Sequence, residues 1–354
     1  MPSLIQARSL VAEFSPPYVP VAVFVGGTSG VGQGMAEALA KQLSGRAHII
    51  LIGRTAATAQ PVLDGLPKPG AGVEGWKHEF VQCDSESMRA IRATCAELRA
   101  RLSHINFLVL SAAGSKGNSM TTSELTEEGI EVHLATRYVS RYQYLKEVVP
   151  LLDAAQKRGQ HAHAMSVLGA GFGFAIPKDP DWMVERARKA QYSFTQGRAI
   201  CLAALKAMFY TSPFNDAMVA YFASAHPSIA FTHIMPGQVL TDGAQHIEMG
   251  SLLTPLAFVF DTFKWLLGTS QDDCAQYMLS ALVSPNTDNG GAFFIGQKGD
   301  IIGARVFDEV SSGKWDESDW RTGYLQGVPV KGYGGPDAGV LQLVRWTEQI
   351  LNAI

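Results

Sequence analysis

Apolar residues in this chain gather in short runs, separated by stretches where they recur at helical spacing. Residues 21–25, 48–52, a run ending at 80–82, 106–110, 162–167, 229–235 and 292–295 read as buried strands, being too short for core helices and rich in β-branched and aromatic residues. Between them the spacing predicts helices. The first is an amphipathic segment over 3–14 closed by SPPYVP, and a second starts at Val31. A third is capped by Ser85, with Met88, Ile91, Cys95 and Leu98 on one face. A long helix over 124–149 is stopped by Pro150, and further helices run from about Lys189 to Tyr210 and over 271–283. Residues 61–75, rich in Pro and Gly, read as a loop, and 244–267 as one or two helices. Strands alternating with helices imply a doubly wound α/β domain, its sheet parallel and of about seven strands, because each parallel crossover needs a dozen or more residues. Ligand then binds at the carboxyl ends of the strands.

The first of those ends is the most informative. Val21–Val25 breaks into GGTSGVGQG, placing Gly26, Gly30 and Gly32 where a strand turns into a helix. Gly26 allows a tight turn; Gly30 and Gly32 allow a pyrophosphate and the neighbouring strand to approach without an intervening Cβ. Thr28, Ser29 and Val31 lie in the same turn, and the unpaired N–H groups of the helix start would face the phosphates.

Composition narrows the ligand. The chain has 354 residues, 47% of them apolar, and a net charge of −3 with no block of Lys or Arg, so nothing points to nucleic acid or an anionic membrane. A small metabolite is the expected partner. Cys83, Cys95, Cys201 and Cys274 form no metal spacing, and no His/Cys/Asp cluster argues for a metal. Scattered thiols and the absence of a signal-peptide pattern fit a reducing cytoplasm. The most apolar stretch, 252–267, is interrupted by Pro255, Asp261 and Lys264 and is too short to span a bilayer.

From about residue 20 to 300 these features resemble the short-chain dehydrogenase/reductase family, a Rossmann-type fold. Gly26, Gly30 and Gly32 match its glycine motif, with Val25 where a threonine is usual. Asp84 matches the acidic residue at the adenine, and Ala112, Ala113 and Gly114 match the end of its NNAG motif, Ser111 departing from it. Pro236, Gly237, Val239 and Thr241 lie in the segment matching its nicotinamide loop. Arg54, at the end of strand two where NAD-preferring members carry an acid, suits a 2′-phosphate, so the cofactor expected is NADP(H). The long N-terminal arm, the VVPLL after the long helix and the extended C-terminus look like a branch common in fungal specialised metabolism. One domain is expected, with an arm over 1–20, a body over 21–300 that includes a lid at 243–268, and an extension over 301–354 packed on it.

The resemblance also implies a catalytic serine, tyrosine, lysine and asparagine. Ser166 and Tyr192 match the first two, but Gln196 stands at the lysine position, four residues after the tyrosine, and aligning 130–138 on the long helix places His133 at the asparagine position. Gln196 can still hydrogen-bond the nicotinamide ribose but contributes no charge to lower the tyrosine pKa from ~10. A phenol can donate a proton, so this loss harms alcohol oxidation more than ketone reduction. His133 with Tyr192 could instead shuttle protons in a redox-neutral step. Gly169–Phe174, Trp182 and the aromatic run around 258–265 suggest a bulky apolar substrate beneath a lid. The expectation is an NADPH-dependent carbonyl or enone reductase, a possible homodimer. The alternatives are a cyclase or isomerase using Tyr192, Ser166 and His133, and a non-catalytic NADP-binding protein.

Overall fold

The computed structural model describes residues 1–113, 125–171, 203–240, 268–305 and 337–354. Eight strands within them form one sheet: β1 (Val21–Val25), β2 (His48–Gly53), β3 (Lys77–Gln82), β4 (Phe107–Leu110), β5 (His163–Val167), β6 (Ala230–Ile234), β9 (Gly291–Ile295) and β10 (Ile301–Arg305). Two short strands, β7 (Val239–Leu240) and β8 (Thr269–Ser270), pair separately. The main order is β10-β9-β6-β5-β4-β1-β2-β3, parallel throughout except that β10 runs antiparallel to β9. The switch between β1 and β4 opens a crevice at the strand ends.

The central parallel strands are buried because both faces are covered, while the edge strand β3 keeps exposed ends. β1, β4, β5, β6 and β9 are buried along their whole length. On one face pack α1 (Leu4–Glu13), α2 (Gly30–Gln42), α3 (Ala56–Gly65) and α8 (Gln271–Leu282). On the other pack α4 (Met88–Arg101), α5 (Val132–Leu134), α6 (Ser140–Gln156), α7 (Ala203–Ala225) and α9 (Asp337–Asn352). Asn106, fully buried just before β4, accepts from Val21 N and donates to Gln160 and to the His161 carbonyl, so it ties the starts of β1 and β5 together.

Several boundaries differ from the sequence expectation, each for a physical reason. Residues 61–75 are not wholly loop: α3 carries Pro61 in its interior and buries Ala59 and Val62. Ser87, not Ser85, caps α4, its hydroxyl accepting from Ala90 N. The long helix starts at Val132, swells into a π-segment over Ala135–Val139, and runs through Pro150 to Gln156. Burial of Leu145, Val148, Val149, Leu151 and Leu152 holds the chain helical past a proline that lacks one hydrogen bond. α7 likewise carries Pro213. The edge strand β10 follows a turn at Gly299, whose φ of 74° suits glycine.

Both ends of the chain pack on the body. The capping box of α1 joins Ser3 to Gln6, Arg8 pairs with Asp273 of α8 at 2.9 Å, and Phe14 meets Phe107 edge-on. From α9, Thr347 bonds Tyr138 at 2.8 Å and Glu348 takes both Tyr142 and Lys146. Cys83, Cys95 and Cys274 are buried free thiols; Cys201 and the 252–267 stretch lie outside the described residues. Among the described residues, no helix is long and apolar enough to cross a membrane.

His163 is a structural group and makes the fold pH-sensitive. Burial lowers its pKa from 6.5 to about 4, while it bonds the Leu282 carbonyl and Thr232 Oγ1. The unfolded chain therefore takes up a proton first, and stability present above pH 6.5 is lost as pH falls toward 4, by roughly 3 kcal/mol at ~1.4 kcal/mol per unit. Denaturant unfolding across that window should show the decline, and His163→Gln should flatten it. An unchanged slope in the variant would assign the effect elsewhere.

Candidate active site

The crevice begins in the turn after β1. Gly26 adopts φ 84° and donates its N–H to the Ile52 carbonyl at 2.9 Å, which bends the chain across the end of β2. A Cβ on Gly32 would lie 2.2 Å from Ser111 Oγ and 2.6 Å from the Gly26 carbonyl oxygen, so only glycine lets α2 approach the strand ends so closely. Ser111, which departs from the family motif, donates its hydroxyl to the Val25 carbonyl at 3.0 Å, while the Ser111 and Ala112 N–H groups reach the same oxygen. The hydroxyl thus pins β4 to the turn. Ser29 caps α2 by backbone only, so no capping side chain occupies the N–H groups of the first turn.

Around this turn lies a cleft of about 460 Å³ lined by Gly26, Thr28, Ser29, Gly30, Val31, Gly32, Arg54, Asp84, Ala112, Ala113, Pro236 and Gly237. Arg54 keeps a half-exposed side chain 3.8 Å from Glu86, itself on the cleft wall. Asp84 Oδ1 accepts from Glu86 N at 3.1 Å and so shapes the loop beside Arg54. Val239 sits in β7, packed against the core rather than on the cleft wall. Gly114, Tyr192, Gln196 and Thr241 lie outside the described residues, as do the expected lid at 243–268 and the Trp182 and 258–265 walls.

Two expected catalytic residues sit elsewhere than anticipated. Ser166 is 2% exposed and absent from the cleft wall, where Val167 and Leu168 stand instead. Asn215 of α7 donates both amide hydrogens to carbonyls, of Arg137 at 2.8 Å and Thr211 at 2.7 Å, which turns its Oδ1 to Ser166. The Ser166 hydroxyl must therefore donate to Oδ1, at 2.7 Å, and it accepts from Arg141 Nη1 at 2.6 Å. Its one hydrogen is committed inside the protein. A side chain at the end of a strand points to one face or the other; Ser166 points between α6 and α7.

His133 is also buried and does not line the cleft; its Nδ1 lies 2.8 Å from Glu131 Oε1, and Glu131 Oε2 caps Leu134 N. In its place the helix presents Thr136 and Arg137. Glu131 holds the His133 ring away from the cleft wall, and the π-segment that follows His133 carries Thr136 and Arg137. Both residues were missed in the sequence, where only the repeated Arg137 and Arg141 hint at them.

Arg137 and Arg141 make this end of the cleft basic. Arg141 is fully buried and bonds three neutral oxygens: Ser166 Oγ, the Val167 carbonyl at 2.9 Å and the Ala112 carbonyl at 3.0 Å. Burial, and then the charge of Arg137, lowers its pKa to about 9. Arg137 is likewise lowered by burial, against the field of Glu131. Beyond Val167 the chain is held by β6, where Gly169 N donates to His233 Nε2 at 3.1 Å and His233 Nδ1 meets Asp216 at 2.6 Å.

Comparison with known proteins agrees with this architecture. Residues 20–175 match the family model described as short chain dehydrogenase. An oxidoreductase of Emericella variicolor, andH, is 29% identical over 310 residues, 85% of this chain and 83% of that protein. Human polyprenol dehydrogenase is 22% identical over 307 residues, 86% of each. The crystal structure of an actinorhodin polyketide ketoreductase variant with NADPH shares the fold at a TM-score of 0.51 and 17% identity, over 76% of this chain and 92% of that one.

Proposed function

The chain belongs to the short-chain dehydrogenase/reductase family, and on that premise we propose that it is an NADPH-dependent carbonyl or enone reductase acting on a bulky, largely apolar metabolite of specialised metabolism. The observation that carries the proposal is the cradle at Gly26 and Gly32, where a Cβ on either glycine would strike backbone at under 3 Å, beside an α2 start free of side-chain caps. That cradle suits a pyrophosphate. Arg54, half-exposed at the far end, suits the 2′-phosphate of NADP. Bound there, the nicotinamide would supply a hydride to an electrophilic carbon.

The protein's own tasks are to hold the substrate oxygen and to deliver a proton. Ser166 has no hydrogen left for that oxygen, so both tasks fall to Tyr192, a phenol that can donate a proton and is followed at the family's lysine position by Gln196. Such a site reduces more readily than it oxidises. The human relative's name, polyprenol dehydrogenase, supports an apolar substrate for this site too.

NADPH oxidation with apolar ketones and enones, together with product mass, tests the proposal. Reduced product should form, and Gln196→Lys should raise its rate. A second reading, NADP binding without hydride transfer, is favoured by the inward-turned Ser166 hydroxyl. Tight cofactor binding with no reduced product from any carbonyl, and no gain in Gln196→Lys, would select it.

A further inference from the structure

We propose that Arg137 is a substrate-binding residue and that the metabolite carries a carboxylate, which this guanidinium pairs at the inner end of the cleft. The inference rests on the reductase reading and specifies its substrate class.

The charge balance of the site carries it. Arg137 lies on the cleft wall with Thr136 and Val167, and its Nε meets no acceptor among the described residues. Four residues on, Arg141 bonds three neutral oxygens and no carboxylate among the described residues. Glu131, whose field reaches Arg137, is itself engaged by His133 and by the Leu134 N–H. Among the described residues, fully buried Arg141 and partly buried Arg137 thus stand together with Glu131 set behind them, while Asp84 and Glu86 of the cleft wall belong to the Arg54 loop. Burying a cation without a matched anion is costly, and the site relieves that cost if the ligand brings one.

Geometry selects the carboxylate. Asn215 donates to the Arg137 carbonyl at 2.8 Å, and Arg141 of the adjoining α6 bonds the Ala112 and Val167 carbonyls, so the helix that bears Arg137 is tied to α7 and to the ends of β4 and β5. A planar guanidinium in a fixed frame pairs a carboxylate through two parallel hydrogen bonds, and the flanking Val167 and Leu168 suit an apolar body. The phosphates of the cofactor are accounted for at the other end, by the α2 start and Arg54.

Calorimetric titration with benzoate and with its neutral isostere benzamide, on the cofactor-free and the NADP⁺-loaded protein, tests this. Benzoate should bind about tenfold tighter or more in both forms, as a charge-assisted pair requires. Arg137→Gln should erase the preference, and Arg137→Lys should keep part of it. Melting temperature supplies a readout that a purely structural arginine would move the other way: Arg137→Gln should melt no lower than wild type, because it relieves repulsion on Arg141. Equal affinity for the two probes, a preference that survives Arg137→Gln, or a clear loss of stability in that variant would overturn the inference. So would a preference present only without NADP⁺, which would make the anion a cofactor phosphate. Failure to bind NADP⁺ at all would instead defeat the reductase reading, while the benzoate preference in the cofactor-free protein would still report on Arg137.

Discussion

Gly32→Val is expected to abolish NADPH binding and to lower stability by ~1–3 kcal/mol, the usual cost of forcing extra atoms into a packed site. The added Cβ would fall 2.6 Å from the Gly26 carbonyl oxygen, a backbone atom, and 2.2 Å from Ser111 Oγ, which cannot swing away without releasing the Val25 carbonyl. Either α2 moves off the sheet or the turn opens, and both displace the N–H groups that would meet the pyrophosphate. Fluorescence titration and denaturant melts measure the two effects. A variant that binds NADPH like wild type would show that the turn is only a turn.

The second large effect falls at Arg54. Exchanging it for aspartate removes a charge-assisted contact of ~1.5–3 kcal/mol to a 2′-phosphate and adds repulsion, so NADPH affinity should fall roughly tenfold to a hundredfold. NADH, which has a ribose hydroxyl there, should be bound as well or better. The neighbouring Glu86, 3.8 Å away, would lose its ion pair with Arg54 and add to the repulsion. An equal loss for both cofactors would mean that Arg54 supports the loop rather than reading the ribose.

Which parts of this were legible in the sequence follows from the physics of each part. Strands β1, β4, β5, β6 and β9 announce themselves because strands covered on both faces are short, largely apolar runs. The glycine turn is equally plain, since no other residue fits beside Ser111 and the Gly26 carbonyl. Prolines misled: Pro61 and Pro150 read as breakers, yet both lie inside helices whose buried faces outweigh one missing hydrogen bond. The edge strand β10 was hidden because Ile301–Arg305 is short and its pairing depends on the turn at Gly299.

The reacting end was harder to read, for two reasons. Alignment on the family's long helix points to His133, but the cleft wall carries Thr136 and Arg137 of a π-segment that leaves no mark in hydrophobic spacing. Ser166 carries the right residue type after an apolar run, but its orientation depends on Asn215 and Arg141, which lie 49 and 25 residues away along the chain. Long-range hydrogen bonds of this kind are set by the fold and have no local signature. The cofactor cradle, by contrast, is built from neighbouring residues in one turn.

The central claim, that this cradle serves NADP, is tested most directly by titrating the purified chain with NADPH and NADH and following nucleotide fluorescence. Saturable binding of NADPH, at least about tenfold tighter than that of NADH as one charge-assisted contact at Arg54 implies, is the result expected. Absence of binding for both nucleotides, or a preference for NADH, would contradict it.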